Sequence, residues 1–150
     1  MTQENKSLLK YLFKPLIVII ITSAIYLAYY PTAIKNNSVK VVNLMYTFHN
    51  YEKLCYNNMP ELEKMCTDEM VSKLTIKNKD LLETVYYRFR GFATEAVIED
   101  VNTGINNSRV TFRIKNKMIA DDRLFSLELK FNLMGKVSDV KLYEILKQYI

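Results

Sequence analysis

The chain has 150 residues, with 21 Lys and Arg against 16 Asp and Glu and a formal net charge of +5. This basic excess is small and spread along the chain, so it does not indicate nucleic-acid binding, which needs positive charge clustered on one face. Three glycines provide no phosphate-binding loop, and one histidine with two cysteines provides no zinc-ligand set. We therefore expect no nucleotide, metal or other cofactor.

The first predicted element is an apolar helix over residues 15–34, between Lys14 and Lys35. Twenty residues without a charge extend about 30 Å as a helix, which matches the hydrocarbon core of a bilayer. We therefore predict a single-pass membrane anchor, with residues 1–14 as a tail and residues 35–150 as one domain.

The ends of this run carry residues typical of a membrane boundary. Tyr26 and Tyr30 have aromatic rings with a polar tip, which suit the headgroup layer. Pro15 and Pro31 are expected to mark the two ends of the helix. The alternative is a cleaved signal peptide, but the small-residue triplets that a cleavage site needs are poor here.

The predicted orientation depends on the lysines that flank the apolar run. Lys6, Lys10 and Lys14 precede it, whereas Lys35 and Lys40 follow it, and the flank richer in positive charge normally stays in the cytoplasm. Abundant Lys, Asn, Ile and Tyr are typical of AT-rich bacterial coding sequences. We predict a protein of the bacterial cytoplasmic membrane, with its N-terminus inside and its domain outside.

The first part of the domain has the three- and four-residue apolar spacing of helices. A polar break at residues 36–38 is expected to end the anchor, and a helix over residues 38–56 would be capped by its first residue, a serine. Residues 57–58, both asparagine, are expected to break that helix. A new helix then begins near Pro60, and Thr67 is expected to cap a further short one.

From residue 85 the pattern changes to the two-residue alternation of strands. Alternation is clearest in residues 109–115 and 124–133, where apolar side chains are expected to face a core. The other predicted features are a strand over residues 85–90 with a bend near Gly91, a strand over 93–103, a turn over 104–108, a hairpin over 134–136, a last strand over 137–142 and a helical turn in the tail 143–150. Helices followed by an antiparallel meander predict an α+β domain, with the helices packed on one face of a curved sheet.

Two stretches carry a resemblance to a known superfamily. Residues 46–74 are YTFHNYEKLCYNNMPELEKMCTDEMVSKL, and residues 109–146 run from RVTFRIKNK through FSLELKFNLMGKVSDVKLYEIL. Helices followed by a meander that closes with a long strand, a glycine hairpin and a short strand resemble the nuclear-transport-factor-two-like (cystatin-like) superfamily. The resemblance implies a cone-shaped fold.

A single anchor with one exported domain of this kind resembles the bitopic VirB-type assembly factors of type IV secretion and conjugation machines. That resemblance implies a non-enzymatic scaffold, which associates with itself and docks onto other membrane proteins. Two alternatives stay open: an extracytoplasmic domain that binds or senses an apolar ligand, and an isomerase-like enzyme.

The candidate pocket residues for these alternatives are His49, Tyr46 and Tyr87. Isomerase members of the superfamily place an acid or a base in the pocket of the cone. Here His49 can titrate near neutral pH, and a tyrosine can donate a hydrogen bond to an oxyanion. The structural alternative is a hydrogen-bonded histidine at the edge of the core.

The candidate docking residues are Arg109, Arg113 and Lys115, on alternate positions of a predicted strand. Alternate residues of a strand point to the same face of a sheet. These three side chains therefore predict a basic face that suits an acidic partner or anionic lipid. An ordinary solvated strand face is the alternative interpretation.

Overall fold

A computed structural model of the chain describes residues 3–50, 53–74, 93–116 and 124–145. These residues form an α+β structure, as predicted, with a long N-terminal helix, short helical segments and an antiparallel sheet. The elements are α1 (Gln3–Tyr46), a π-helical segment (Leu54–Asn58), α2 (Met59–Met65), α3 (Asp68–Leu74), β1 (Thr94–Thr103), β2 (Asn107–Asn116), β3 (Leu124–Phe131) and β4 (Val137–Ile145). The predicted strand over residues 85–90 and the bend near Gly91 lie outside the described residues.

Helix α1 runs without interruption for 44 residues, or about 66 Å. The predicted break at residues 36–38 is therefore wrong. Ser38 lies inside the helix, where its hydroxyl donates to the carbonyl of Ile34 at 2.6 Å. The side-chain amide of Asn37 donates to the carbonyl of Gly135 at 3.4 Å. Because Asn or Ser costs a helix at most about 0.7 kcal/mol, the tertiary contacts of Asn37 with Gly135 and of Ser38 with Ser108 outweigh the local preference for a break.

Pro15 and Pro31 lie within α1, so their predicted role as its boundaries is wrong. A proline inside a helix removes one backbone hydrogen bond and costs about 3 kcal/mol. Beyond Pro31 this cost is offset by the packing of Ile34, Val41 and Val42, which are fully buried. Burial of each such side chain contributes about 1.5–3 kcal/mol. The helix continues through Pro31 because its second half is held in the core of the domain.

The two halves of α1 have different surroundings. In residues 13–29 the large apolar side chains are all exposed, by between 42% and 72%. From Ile34 onward one side of the helix is buried against the sheet. The helix is long and apolar enough to cross a membrane, and its exposed apolar half is the part that lipid would surround.

Helix α1 ends at Tyr46, well before the predicted end, because other groups bond its last carbonyls. The main chain of Phe48 pairs with that of Thr94 through hydrogen bonds of 2.8 and 3.0 Å. The hydroxyl of Thr94 donates to the carbonyl of Tyr46 at 2.7 Å, and the side-chain amide of Asn58 donates to the carbonyl of Thr47 at 2.9 Å. Carbonyls at a helix end need such donors, which here come from distant segments.

The predicted break at residues 57–58 is also wrong, because the π-helical segment passes directly into α2. Asn58 is held in this helical segment by its contacts with the end of α1. Pro60 lies in the first turn of α2, as predicted. The predicted cap at Thr67 is confirmed, since its hydroxyl accepts the N–H of Met70 at 3.3 Å at the start of α3.

The sheet is an antiparallel meander in the order β1-β2-β3-β4. Along β2, every second side chain is buried, and the buried Phe112 stands opposite the buried Phe125 of β3. The predicted faces of these two strands are confirmed. A bulge between Ile98 and Asp100 shifts the register of β1, and bulges of this kind bend a strand.

The hairpin between β3 and β4 differs from the prediction. Strand β3 ends at Phe131, so Leu133 is not a buried strand residue but a turn residue that is 84% exposed. Gly135 has a φ of 74°, in the left-handed region that favours glycine. The predicted helical turn over residues 143–150 is wrong for residues 143–145, which belong to β4, and its remainder lies outside the described residues.

The helices cover one face of the sheet, as predicted. Helix α1 packs along β1 and β2, α2 packs on α1, and α3 lies beside β4. The ring centroid of Tyr46 lies 4.9 Å from that of Phe112, which lies 5.9 Å from that of Phe125. All three side chains are buried. The space between α1 and the sheet is therefore filled by aromatic side chains at this level.

We expect Leu129→Asp to unfold the domain, because Leu129 is fully buried in β3. An unpaired buried carboxylate costs several kcal/mol against a total stability of about 5–15 kcal/mol. The neighbouring change Lys130→Ala lies on the exposed face and should leave the melting temperature nearly unchanged. Circular dichroism of the full chain in detergent micelles measures both. Equal loss of stability in the two variants would show that the faces of β3 are assigned wrongly.

Candidate functional site

The structure places the predicted pocket residues in different environments. Tyr46 is buried at the end of α1, with its ring against Phe112. His49 is exposed, on the bend that follows the helix. Tyr87 lies outside the described residues. Tyr46 and His49 are close in sequence, but one belongs to the core and the other to the surface, so these two do not line one common pocket.

The predicted docking residues share one face of β2, the face opposite the helices. Arg109 forms an ion pair with Glu128 of β3, and its Nε donates to the carboxylate at 3.0 Å. Arg113 forms an ion pair with Glu99 of β1. Lys115 is exposed near the end of the strand. Both arginines are thus neutralised by an acid on an adjacent strand, and the face carries mixed charge.

This mixed charge continues across the outer face of the sheet. The register places Glu128 opposite both Arg109 and Lys141, and it places Lys130 opposite Asp139. An open cleft of about 350 Å³ lies here, and all five residues contribute to its lining. Such alternating charges suit the recognition of a complementary charged surface more than the binding of an apolar molecule. We call the five residues the charged ladder: Arg109, Glu128, Lys130, Asp139 and Lys141.

Sequence reasoning identified only one member of the charged ladder as a candidate docking residue. Glu128 and Lys130 alternate with the buried residues of β3, and this signal could have added them. Asp139 and Lys141 gave a weaker signal, because a register shift between Lys130 and Phe131 displaces the alternation of β4. Which acid meets which base depends on strand register, and spacing along one strand does not reveal it.

The ion pair with Arg109 also affects the titration of Glu128. The hydrogen bond from Arg109 is the largest influence and lowers the pKa of Glu128, whereas desolvation opposes it. The positive charge of Arg109, a hydrogen bond with Tyr143 and the charge of Lys141 lower the pKa further. A carboxyl group whose pKa is lowered on folding stabilises the fold above its unfolded pKa, and this contribution is lost as the pH falls through the folded pKa.

A second feature lies where the domain meets the exposed half of α1. The hydroxyl of Tyr30 donates to the carbonyl of Asn132 at 2.6 Å, and the hydroxyl of Tyr26 donates to the carbonyl of Leu133 at 2.9 Å. The two tyrosine rings are stacked, with centroids 4.6 Å apart. The β3–β4 hairpin is thus bonded to the helix at the level of these tyrosines. The sequence placed both tyrosines at a membrane boundary but gave no sign of the hairpin beside them.

Cys66 is a free thiol in the core, beside the start of β4. Burial raises the pKa of Cys66 to about 11; the charge of Glu63 adds to this effect and that of Lys136 opposes it. A thiol with this pKa remains protonated at neutral pH and is a poor nucleophile. Cys66 is therefore a packing residue in this structure.

Within the described ranges, no group of three or more His, Cys, Asp and Glu side chains is placed to hold a metal ion. Comparisons of the chain with family models, with curated proteins and with solved structures give no match. Among the described residues, two features bear on function: the charged ladder, and the contact of the β3–β4 hairpin with Tyr26 and Tyr30.

We predict that Glu128→Gln lowers the melting temperature at neutral pH, because it removes the carboxylate that pairs with Arg109. The difference from the unmodified chain should shrink progressively as the pH falls below the usual carboxyl pKa of about 4, and it should vanish below the lowered pKa of folded Glu128, where both chains lack the charge. Thermal melts across this pH range measure it. Glu95→Gln, on the same face of the sheet, is the matched control and should give a smaller difference. A difference independent of pH would contradict the ion-pair explanation.

Proposed function

We propose that this chain is a single-pass scaffold or assembly protein of the bacterial cytoplasmic membrane, without enzymatic activity. In this proposal residues 1–14 lie in the cytoplasm, the apolar half of α1 spans the bilayer, and the domain of residues 35–150 lies outside. The lysine-rich N-terminal flank supports this orientation. The domain would act by binding other membrane proteins and copies of itself.

The charged ladder is the single observation that carries the binding role. The helices bury one face of the sheet, and the other face presents an ordered pattern of charge to solvent. Complementary charge patterns contribute mainly to specificity and to the rate of association. An anchored domain that shows one patterned face to its surroundings has the form expected of a docking module.

The order of secondary-structure elements supports a more specific proposal, a role in the assembly of a membrane complex. Helices before a four-stranded antiparallel meander are consistent with the cone-shaped nuclear-transport-factor-two-like fold. A single anchor before such a domain is consistent with a VirB-type component of a conjugative or type IV secretion machine. In that role the domain would contribute contacts to a larger complex.

The two alternative functions receive less support from the geometry. Binding of an apolar ligand, or isomerase chemistry at His49, needs a cavity that opens between the sheet and the helices. His49 is exposed on a bend, and the interior beside Tyr46 is packed with the rings of Phe112 and Phe125. The cleft on the outer face is open to solvent and is lined by the charged ladder.

The test is a charge swap that changes the pattern but preserves the ion pair. Arg109→Glu combined with Glu128→Arg keeps the net charge and the salt bridge, yet it inverts two members of the charged ladder. We expect partners that co-purify with the unmodified chain in mild detergent, identified by mass spectrometry, to be reduced several-fold.

The matched control is a swap of the exposed pair Lys73 and Glu69 on α3, which also form an ion pair. It should leave the set of partners unchanged. Circular dichroism confirms that both variants are folded. If the two swaps have the same effect, or if the unmodified chain purifies alone and monomeric, the proposed docking role is wrong.

A further inference from the structure

The three most exposed large apolar side chains of the described residues lie in two turns at one end of the sheet. Met134 is 87% exposed and Leu133 is 84% exposed, both in the β3–β4 hairpin, and Ile105 is 79% exposed in the β1–β2 turn. The two turns are adjacent, because the N–H of Phe131 donates to the carbonyl of Asn106 at 2.8 Å. Turns at a water-exposed surface are normally built from polar residues.

This end of the sheet faces the apolar half of α1. Its hydrogen bonds with the helix include those from Tyr30 and Tyr26 to the carbonyls of Asn132 and Leu133, and the one from Asn37 to the carbonyl of Gly135. Tyr26 belongs to the exposed apolar segment, residues 13–29, and Tyr30 follows directly after it. The hairpin tip therefore lies beside the last turns of the segment that lipid would surround.

The position of the tip relative to a bilayer follows from the geometry of the helix. At about 1.5 Å per residue, Tyr26 and Tyr30 lie roughly 18 and 24 Å along the axis from Lys14. The hydrocarbon core of a bilayer is about 30 Å thick. With Lys14 at the inner boundary, both tyrosines lie in the outer leaflet, Tyr30 about 6 Å inside its outer boundary, close to the layer where tyrosine is enriched, and Tyr26 about 12 Å inside it. The hairpin tip is bonded to both tyrosines and therefore lies in the same leaflet.

Most backbone polar groups of the hairpin are bonded within the protein, which an environment poor in water favours. The carbonyls of Asn132 and Leu133 accept the two tyrosine hydroxyls. The side-chain oxygen of Asn132 accepts the N–H groups of Met134 and Lys136 at 3.0 and 2.9 Å. The carbonyl of Asn132 also accepts the N–H of Gly135 at 2.9 Å. A tip with apolar side chains and mostly bonded backbone groups suits insertion among lipids.

We propose that Leu133 and Met134 insert into the outer leaflet of the bilayer beside α1, with Ile105 at the edge of the contact. The partner is the lipid surface itself, and Lys136, exposed next to the tip, lies where it meets lipid phosphates. This inference rests on the membrane anchor in the proposed function. The domain then touches the membrane at two places, the helix and the hairpin, and its tilt is fixed.

The test uses tryptophan as a depth probe, because the chain has none of its own. Met134→Trp is placed in the full chain, which is reconstituted in vesicles of phosphatidylethanolamine and phosphatidylglycerol. We expect blue-shifted emission, strong quenching by lipids brominated on their acyl chains, and weak quenching by aqueous acrylamide. Tyr56→Trp is the matched control, since Tyr56 is 75% exposed on the π-helical segment. It should show the opposite pattern, with several-fold weaker quenching by the lipids.

A second probe, Leu27→Trp, separates failure of this inference from failure of the anchor. Leu27 is 67% exposed in the apolar half of α1 and should be quenched by the brominated lipids if that half spans the bilayer. Quenching of Leu27→Trp without quenching of Met134→Trp would overturn the hairpin contact alone. Absence of quenching at both positions would overturn the anchor and, with it, this inference. Circular dichroism shows that each variant is folded.

Discussion

The structure depends on one constraint: the helix that would span the membrane is the same helix that forms the core of the domain. Helix α1 passes from a segment with every large side chain exposed to one in which Ile34, Val41 and Val42 are fully buried. At this transition the hydroxyls of Ser38 and Ser108 lie 2.5 Å apart in the interior, which ties the helix to β2. No flexible linker separates the two halves.

This continuity determines which surfaces are left for function. Because α1 occupies the inner face of the sheet, the outer face with its charged ladder is the one that faces solvent. Because the hairpin is bonded to Tyr26 and Tyr30, the same helix sets the distance of that face from the membrane. A domain that presents a patterned face at a fixed height and tilt is suited to contact neighbours in the same membrane. The docking proposal and the hairpin inference therefore have a common structural basis.

The sequence predicted the strands better than the helix ends, and the reason is physical. Strand β2 has one face in the core, so burial imposes a two-residue alternation that can be read from local residues. The end of a helix depends on what else can bond its backbone. Asn37 and Ser38 resemble a break locally, but their side chains bond Gly135 and Ser108, which lie 98 and 70 residues away in the chain.

The same distinction applies to the candidate site. Alternation was sufficient to place Arg109, Arg113 and Lys115 on one face of a strand. The acidic partners of the two arginines, Glu128 and Glu99, are on the two neighbouring strands and are set by register. The β3–β4 hairpin and its tyrosine contacts could not be predicted, because the interacting residues are more than 100 positions apart. Pairwise contacts at this separation leave no periodic signal in a single sequence.

The most direct test of the central claim is a distance measurement across the junction. Nitroxide labels are attached to cysteines that replace Lys14 and Lys115, in a chain whose own Cys55 and Cys66 are replaced by alanine, and the full protein is placed in lipid nanodiscs. A continuous α1 predicts one narrow distance distribution by pulsed electron paramagnetic resonance. It also predicts that replacement of Asn36 and Asn37 by glycine broadens this distribution. A broad distribution in the chain that keeps both asparagines would contradict the claim that one rigid helix joins the membrane segment to the domain.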